Sequence, residues 1–271
     1  MKVTVLYSGG LDSRVLVEFA REMGYTPVCY WFNIGQPYAA AERGALPEYV
    51  KTRYIDWMRG LAPTHVNPGS LVGPITIPGR NLALAVIAGC MEVAEQVWLG
   101  GLASEMIPQS ADKNPAFLAT ASAALTQALW PWCENGVRVR FPLAEMGWNK
   151  VDALRWVRSV RQVSDGDLLH TFSCVGEQSG HARHCGRCSS CLRRWGAFKQ
   201  VGIEQRFTHP IMDCPLHWQM VRALITGDRH GIMRKAELLP AVYAHLDVSS
   251  NEGVLDWLTK QETERSERRA Q

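Results

Sequence analysis

A doubly wound parallel α/β sheet, carrying a zinc-binding segment and a helical tail, is the fold class this sequence predicts. Three observations predict it. Short β-branched runs alternate with stretches whose apolar residues recur at helical spacing. A glycine- and serine-rich turn, SGGLDS, joins the first such run to the first helix. Four of the eight cysteines crowd into Cys174–Cys191, and beyond Pro210 the pattern is mostly helical.

The runs KVTVLY, TPVCYWFNI, QVWLGG and VRVRFPL read as strands. RVLVEFAREM, NLALAVIAGCMEVAEQ, PAFLATASAALTQAL and VDALRWVRSV read as the helices between and after them. In such sheets ligands sit beyond the carboxyl ends of the strands, so the loops after Tyr7, Ile34, Gly100 and Pro142 are expected to meet at one rim. The stretch Gly35–Gly79, rich in Pro, Gly and Ala, is the hardest to assign and reads as a helix and loop. The tail offers three helices, PLHWQMVRALIT, RKAELLPAVYAHL and EGVLDWLTKQ, with Trp218, Val221, Leu224 and Ile225 as a packing face and ETERSERRAQ as a solvated helix end. The expected division is an α/β domain carrying the SGGLDS turn over 1–170, a cysteine-bearing segment over 171–209 packed on it, and a helical extension over 210–271.

The 271 residues suffice for a sizeable core, and a 46% hydrophobic, 20% charged composition is that of a globular protein. No apolar run reaches the roughly 18 residues that would span a bilayer. Lys2 is followed directly by a strand rather than by a cleavable apolar segment, so a cytoplasmic location is expected. A net charge of +3 is too small to argue for a nucleic-acid-binding surface.

The chemistry starts at SGGLDS. Backbone N–H groups of a glycine turn that opens a helix form a concave site of partial positive charge suited to phosphate oxygens. Gly9 and Gly10 permit close approach, and Ser8 and Ser13 add hydroxyl donors. Asp12 would repel a polyphosphate unless it caps the helix or helps to hold a magnesium ion, which points to Mg·ATP. The loop lacks the lysine of a Walker loop and the spacing of a dinucleotide turn. SGGLDS resembles the signature of the PP-loop ATP pyrophosphatases, which cleave ATP between its α and β phosphates. That resemblance implies adenylation of a substrate oxygen.

Cys174, Cys185, Cys188 and Cys191 follow the spacing C-x10-C-x2-C-x2-C, which suits four thiolates around one tetrahedral zinc. An iron–sulfur cluster and unmetallated core cysteines are the rivals. Arg183, Arg187, Arg193 and Arg194 make the segment polar for a core, and His181 and His184 read as solvent-facing neighbours of the site. Cys29, Cys90, Cys133 and Cys214 lie among apolar residues and read as core fillers.

Loop and cysteines together resemble the 7-cyano-7-deazaguanine synthase (QueC) family. CGRCSSCLRRWGAF is similar to that family's cysteine segment, TIPGRN to its glycine–arginine–asparagine turn and FPLAEMGWNKVDAL to its lysine-bearing segment, in order from about Val3 to Ile203. The resemblance implies that Ser8, Gly9, Gly10, Leu11, Asp12 and Ser13, with Gly79, Arg80, Asn81 and Lys150, bind ATP. It also implies that Asp12, Arg80 and Lys150 carry the chemistry. The alternative reading of Arg80 is a surface ion-pair partner, and that of Lys150 a solvated helix start. The cofactors implied are ATP, Mg2+ and structural Zn2+. The reaction implied turns 7-carboxy-7-deazaguanine into an acyl adenylate, an amide with ammonia, and then a nitrile with a second ATP.

Two segments depart from that family. LASEMIPQSADKNPAF stands where it has a Tyr- and Cys-containing stretch associated with the deazapurine pocket, and only Asp112, Pro115 and Phe117 suggest an equivalent. Gln36 is kept, but Pro37 and Tyr38 replace an Arg–His pair. These departures, with the added tail, leave room for a phage or defence-system variant that stops at the amide or joins a deazaguanine to a protein amine. The other readings are a tRNA-modifying enzyme of the thiolase type and a non-catalytic ATP-binding module. The tail helices are candidates for docking a protein partner, forming a homodimer surface or lidding the site.

Overall fold

The computed structural model describes residues 1–36, 38–56, 79–106, 110, 112–175, 184–227 and 231–270. Its centre is β1 (Lys2–Leu6), whose β-branched Val3 and Val5 are buried. Around it stand β2 (Thr26–Asn33), β3 (Thr52–Asp56), β4 (Gln96–Trp98) and β5 (Arg138–Arg140), every pairing parallel, in the order β3-β2-β1-β4-β5. The chain builds outward from β1 to β3, then crosses back to place β4 on the other side of β1. That reversal opens a crevice beyond the carboxyl ends of β1 and β4.

Four strands match the alternation in the sequence, and β3 is an addition. It lies in the stretch expected as helix and loop, where α2 (Ala39–Gly44) supplies the helix. As an edge strand with no buried residue, TRYID has no apolar face for periodicity to reveal. Residues 57–78 of that stretch, which include part of TIPGRN, lie outside the described residues.

The helices that matter for the site follow from their caps and apolar faces. α1 (Leu11–Glu22) buries Val15, Leu16 and Phe19 against the sheet. α3 (Arg80–Glu92) starts at a left-handed Gly79 and stops short of the expected end at Gln96, because Val93 turns left-handed and Gln96 already belongs to β4. α4 (Pro115–Ala128) is capped by Asn114, whose side chain accepts from the Phe117 N–H. α5 (Pro142–Glu145) is a single turn, and α6 (Lys150–Ser159) begins with a reciprocal box between Asn149 and Asp152. α7 (Asp165–His170) and α8 (Ser189–Gln200) flank the cysteine segment. α9 (Pro215–Thr226), α10 (Gly231–Leu246) and α11 (Asn251–Ala270) form the tail, with α11 continuing through the charged end. No helix among the described residues is long and apolar enough to cross a membrane.

One buried cluster joins β1, α1 and α6 to the inner face of α8. Another joins Cys174, Cys188 and Leu192 to Trp218, Val221, Leu238 and Val242, so the cysteine segment and the tail share a core. Trp218, Val221 and Leu224 are buried as their spacing predicts. Arg187 is exposed as expected and Arg183 lies outside the described residues, but Arg194 departs from expectation. Arg194 is wholly buried, its guanidinium 4.3 Å from the Phe198 ring and bonded to the carbonyls of Leu168 and Leu169 at 2.8 and 3.2 Å. His184, expected to face solvent, is buried as well, because its Nε2 accepts from the Ser173 N–H at 3.1 Å. Burial, reinforced by Arg194, holds its pKa down at about 3. His181 lies outside the described residues. Among the scattered cysteines Cys29 and Cys133 fill the core, whereas Cys90 is exposed and Cys214 only partly covered.

Candidate active site

The turn between β1 and α1 is shaped by glycine for a steric reason. Gly9 has φ +73, and a Cβ there would come within 2.7 Å of the Glu42 carbonyl on α2. Gly10 is the N-cap of α1 and uses no side-chain cap, so the N–H groups of the first turn, beside the crevice, have no intrahelical acceptor. Asp12 therefore does not cap the helix. Ser13 Oγ donates to the Gly10 carbonyl at 2.9 Å and lies 3.4 Å from Ser8 Oγ, which draws the turn closed. From the far side residues 172–173 brace it, with the Phe172 N–H on the Gly9 carbonyl at 2.9 Å and Ser173 Oγ accepting from the Leu11 N–H at 3.4 Å.

A cavity of about 320 Å³ opens in front of this turn. Ser8, Gly10, Leu11, Asp12, Ser13, Arg80, Asn81 and Lys150 all line it, and Gly9 and Gly79 shape its edges without lining it. The rims after Tyr7, Ile34 and Gly100 meet there, joined by Phe141 at the end of β5. Lys150 is 5% exposed and pairs through Nζ with Asp12 Oδ1, so it is no solvated helix start. Its place at the first turn of α6 is fixed by Asn149, whose Oδ1 accepts from the Val151 and Asp152 N–H groups at 2.8 and 3.1 Å.

The two side walls differ in chemistry. On the β2 side stand Tyr30, Trp31, Phe32 and Tyr38 with one carboxylate, Glu42, which accepts from Gln36 Nε2 at 2.9 Å and Trp31 Nε1 at 3.3 Å. Burial pushes the Glu42 carboxyl up to about 7, against the pull of those two donors and of Arg80. The β4 side is ionic. Glu105 pairs with Lys113 at 2.9 Å and with Arg193, and all three line the cavity. Asp112, Pro115 and Phe117 do not line it.

Behind the cavity the four cysteines converge. All are buried, and their Sγ atoms lie within 4.8 Å of one another, so the group can hold one metal ion. Pairwise separations are 3.4 Å for Cys188–Cys191, 3.8 Å for Cys185–Cys191 and 3.9 Å for Cys174–Cys188. The Arg187 N–H points at Cys185 Sγ from 3.2 Å and the Cys185 N–H at Cys174 Sγ from 3.4 Å, as amides do toward thiolate sulfur. Cys174 directly follows the Phe172–Ser173 pair that braces the glycine turn, so the cysteine group and the turn adjoin along the chain.

The family model for "Queuosine biosynthesis protein QueC" matches residues 64–202, just over half of the chain. The chain belongs to the QueC family. The 7-cyano-7-deazaguanine synthase of Methanococcus maripaludis strain S2 is 26% identical to it over 237 residues, covering 75% of this chain and 96% of that one. The enzyme of the same name from Pseudomonas putida strain KT2440 is 28% identical over 222 residues, with the same coverage. A U34-tRNA thiolase from M. maripaludis, solved with its 4Fe–4S cluster, superposes at TM-score 0.35 and 15% identity over 76% of this chain and 83% of that one, too slight a likeness to carry an argument.

Within this QueC-family chain, sequence reasoning missed Glu105 and Lys113 on the β4 side, the wall residue Glu42, and Glu237. Glu237 comes from α10 and reaches the back of the site. Glu42 had a weak signal in its spacing from Gln36. Lys113 adjoins Asp112, the residue singled out instead, and Arg193 was read only as segment polarity. Glu237 had no signal, because nothing local marks a glutamate in a tail helix as part of a site more than 80 residues away.

Proposed function

We propose that this chain is an ATP-dependent ligase of the 7-cyano-7-deazaguanine synthase kind. The observation that carries the reading is one cavity bounded by an uncapped helix N-terminus, a pair between buried Lys150 and half-buried Asp12, and the Arg80–Asn81 helix start. Open N–H groups and fixed cations match the charge that builds up when pyrophosphate leaves ATP, and this chemistry asks for alignment and neutralisation rather than a protein nucleophile. The relatives' name and the family's description supply the substrate class.

On this reading the triphosphate lies on the amides of residues 9–13 with Ser8 and Ser13 beside it. The aromatic β2 wall takes the adenine, and the ionic β4 wall takes the acid to be activated, since a carboxylate is drawn to Lys113 and an aromatic base to stacking surfaces. Lys150 neutralises the departing pyrophosphate, and Arg80 steadies the α-phosphate. Asp12 meets Lys150 through one carboxylate oxygen and would hold Mg2+ with the other; that ion, when bound, offsets phosphate charge. The acid oxygen attacks the α-phosphorus and releases pyrophosphate. Ammonia then displaces AMP to give the amide. A second ATP adenylates the amide oxygen, and loss of a proton and AMP leaves the nitrile.

Zinc is the metal we assign to Cys174, Cys185, Cys188 and Cys191. Four thiolates about 2.3 Å from one tetrahedral ion sit about 3.8 Å apart, close to the separations found here, whereas cluster cysteines bind different iron atoms and stand wider. With four protein ligands the ion would fasten the cysteine segment and the tail rather than activate water. Residues 1–170, 171–209 and 210–271 then act as nucleotide domain, metal-held brace and helical support.

Incubating the protein with 7-carboxy-7-deazaguanine, Mg·ATP and ammonium tests this. The expected products are AMP, pyrophosphate and the nitrile by mass. Absence of AMP would reject the reading. A product halted at the amide, or a deazaguanine joined to a protein amine, would select the variant suggested by Tyr38 and the altered segment after β4.

A further inference from the structure

The family match stops at residue 202, yet a residue beyond it reaches the back of the cavity. Glu237 on α10 is fully buried. Its carboxylate accepts from Ser104 Oγ at 2.7 Å, from Arg193 Nε at 2.6 Å and Nη2 at 3.1 Å, and from the Lys150 backbone N–H at 3.5 Å. These donors come from three elements: the turn after β4, α8 and the start of α6. A buried carboxylate is tolerated only while its partners stay in place, so the arrangement is over-determined rather than incidental.

The backbone shows the same close fit. A Cβ at Gly196 on α8 would meet Leu238 Cδ1 at 2.7 Å, so glycine lets α10 seat against α8. Gln200 Nε2 donates to the Glu237 carbonyl at 2.7 Å, and Arg234 Nη2 donates to the Ser104 carbonyl at 2.9 Å. From Glu237 the charges alternate toward the cavity. Arg193 is forked between Glu237 and Glu105, and Glu105 holds Lys113. A guanidinium forked between two carboxylates has its plane fixed only while both are present.

We propose that Glu237 is a positioning residue of this site: acting through Arg193, it fixes Glu105 and Lys113 on the β4 wall, so that the helical extension completes the place where the acid substrate binds. The inference rests on the adenylation reading above and deepens it. It assigns the extension's main contribution to the acceptor side of the cavity, its one contact toward the nucleotide side being the long bond from the Lys150 backbone N–H.

Steady-state AMP release by the full chain tests it. Glu237→Gln is expected to raise the KM for 7-carboxy-7-deazaguanine about tenfold or more while leaving the KM for ATP within about twofold. Adding it to Arg193→Met should cost no more than about threefold beyond Arg193→Met alone, since both act along one path. Leu238→Ala loosens the same helix without touching the carboxylate, and it should lower Tm while both KM values hold. The proposal is overturned if Glu237→Gln leaves the acceptor KM unchanged, if both KM values move together as in a general loss of structure, or if its effect adds in full to that of Arg193→Met. Glu237→Asp, which keeps the charge but falls one methylene short, is read the same way should the glutamine variant not fold.

Hydrogen exchange gives an answer that needs no turnover. The bonded amides of Ala103, Glu105 and Met106 should exchange faster in the Glu237→Gln protein while α1 stays protected. Unchanged exchange there overturns the proposal. Absence of AMP from the wild-type protein would instead overturn the adenylation reading.

Discussion

The glycine turn and the ionic wall after β4 face the same cavity but are built by opposite means. The turn is made of backbone, since Gly9 and Gly10 open it and α1 supplies its N–H groups, with residues 172–173 as the one distant brace. The wall is made of side chains from distant places, Glu105 and Lys113 held through Arg193 by a tail glutamate. A backbone site is specified locally and tolerates change around it. A side-chain relay is specified by every member, so one substitution in a remote helix can retune it.

The largest expected effect falls on what supports both. Cys191→Ser, or strong chelation, should remove one metal per chain and lower Tm by more than about 10 °C, because the thiols sit in the core shared with the tail. ATP affinity should fall with it, since Cys174 adjoins the residues bracing the turn. Calorimetry with metal analysis checks this, and a metal-free protein with unchanged ATP affinity would uncouple the two regions.

Next comes Lys150→Met. It should cut the kcat for AMP release about 10²- to 10³-fold, the usual cost of removing a fixed charge that stabilises a leaving group, and Lys150→Arg should recover little at so buried a place.

Acid stability then probes the relay. Burial opposes ionisation of Glu237, but Arg193 and Arg234 outweigh it and hold its pKa at about 2, below the usual 4.5. A depressed carboxyl pKa contributes stability that is present above about 4.5 and lost as pH falls toward 2, here up to about 3 kcal/mol. Urea midpoints across that range should fall steeply for the wild type and less so for Glu237→Gln, which is already weaker at pH 6.

Gly9→Ala probes the turn. The positive φ and the 2.7 Å approach to Glu42 should weaken ATP binding at least about tenfold, with acceptor-side hydrogen exchange unchanged. The smallest effect belongs to Glu42. Its raised pKa means that the folded chain prefers the protonated form, so stability drops as pH rises from about 4.5 through 7. Glu42→Gln should remove a decline of about 1 kcal/mol, less than the full shift implies because the cavity mouth admits water.

The same contrast explains what could be read in advance. β1, α1, the order of strands and helices on either side and the SGGLDS turn follow from periods and spacings within short windows. The cysteine spacing did as well, since four thiols on two turns have few other uses. β3 escaped because an edge strand needs no apolar face. Arg194 and His184 were misjudged because a polar side chain can be buried once backbone carbonyls and amides receive it, as Leu168, Leu169 and Ser173 do here. Glu237 escaped because its meaning lies wholly in tertiary contacts.

A crystal structure with Mg2+ and a non-hydrolysable ATP analogue tests the central claim most directly. The phosphates should lie on the amides of residues 9–13, with Lys150 Nζ turned from Asp12 to the non-bridging oxygens of the α and β phosphates and the adenine against the Trp31 side. Phosphates elsewhere, with the Lys150–Asp12 pair undisturbed, would contradict it.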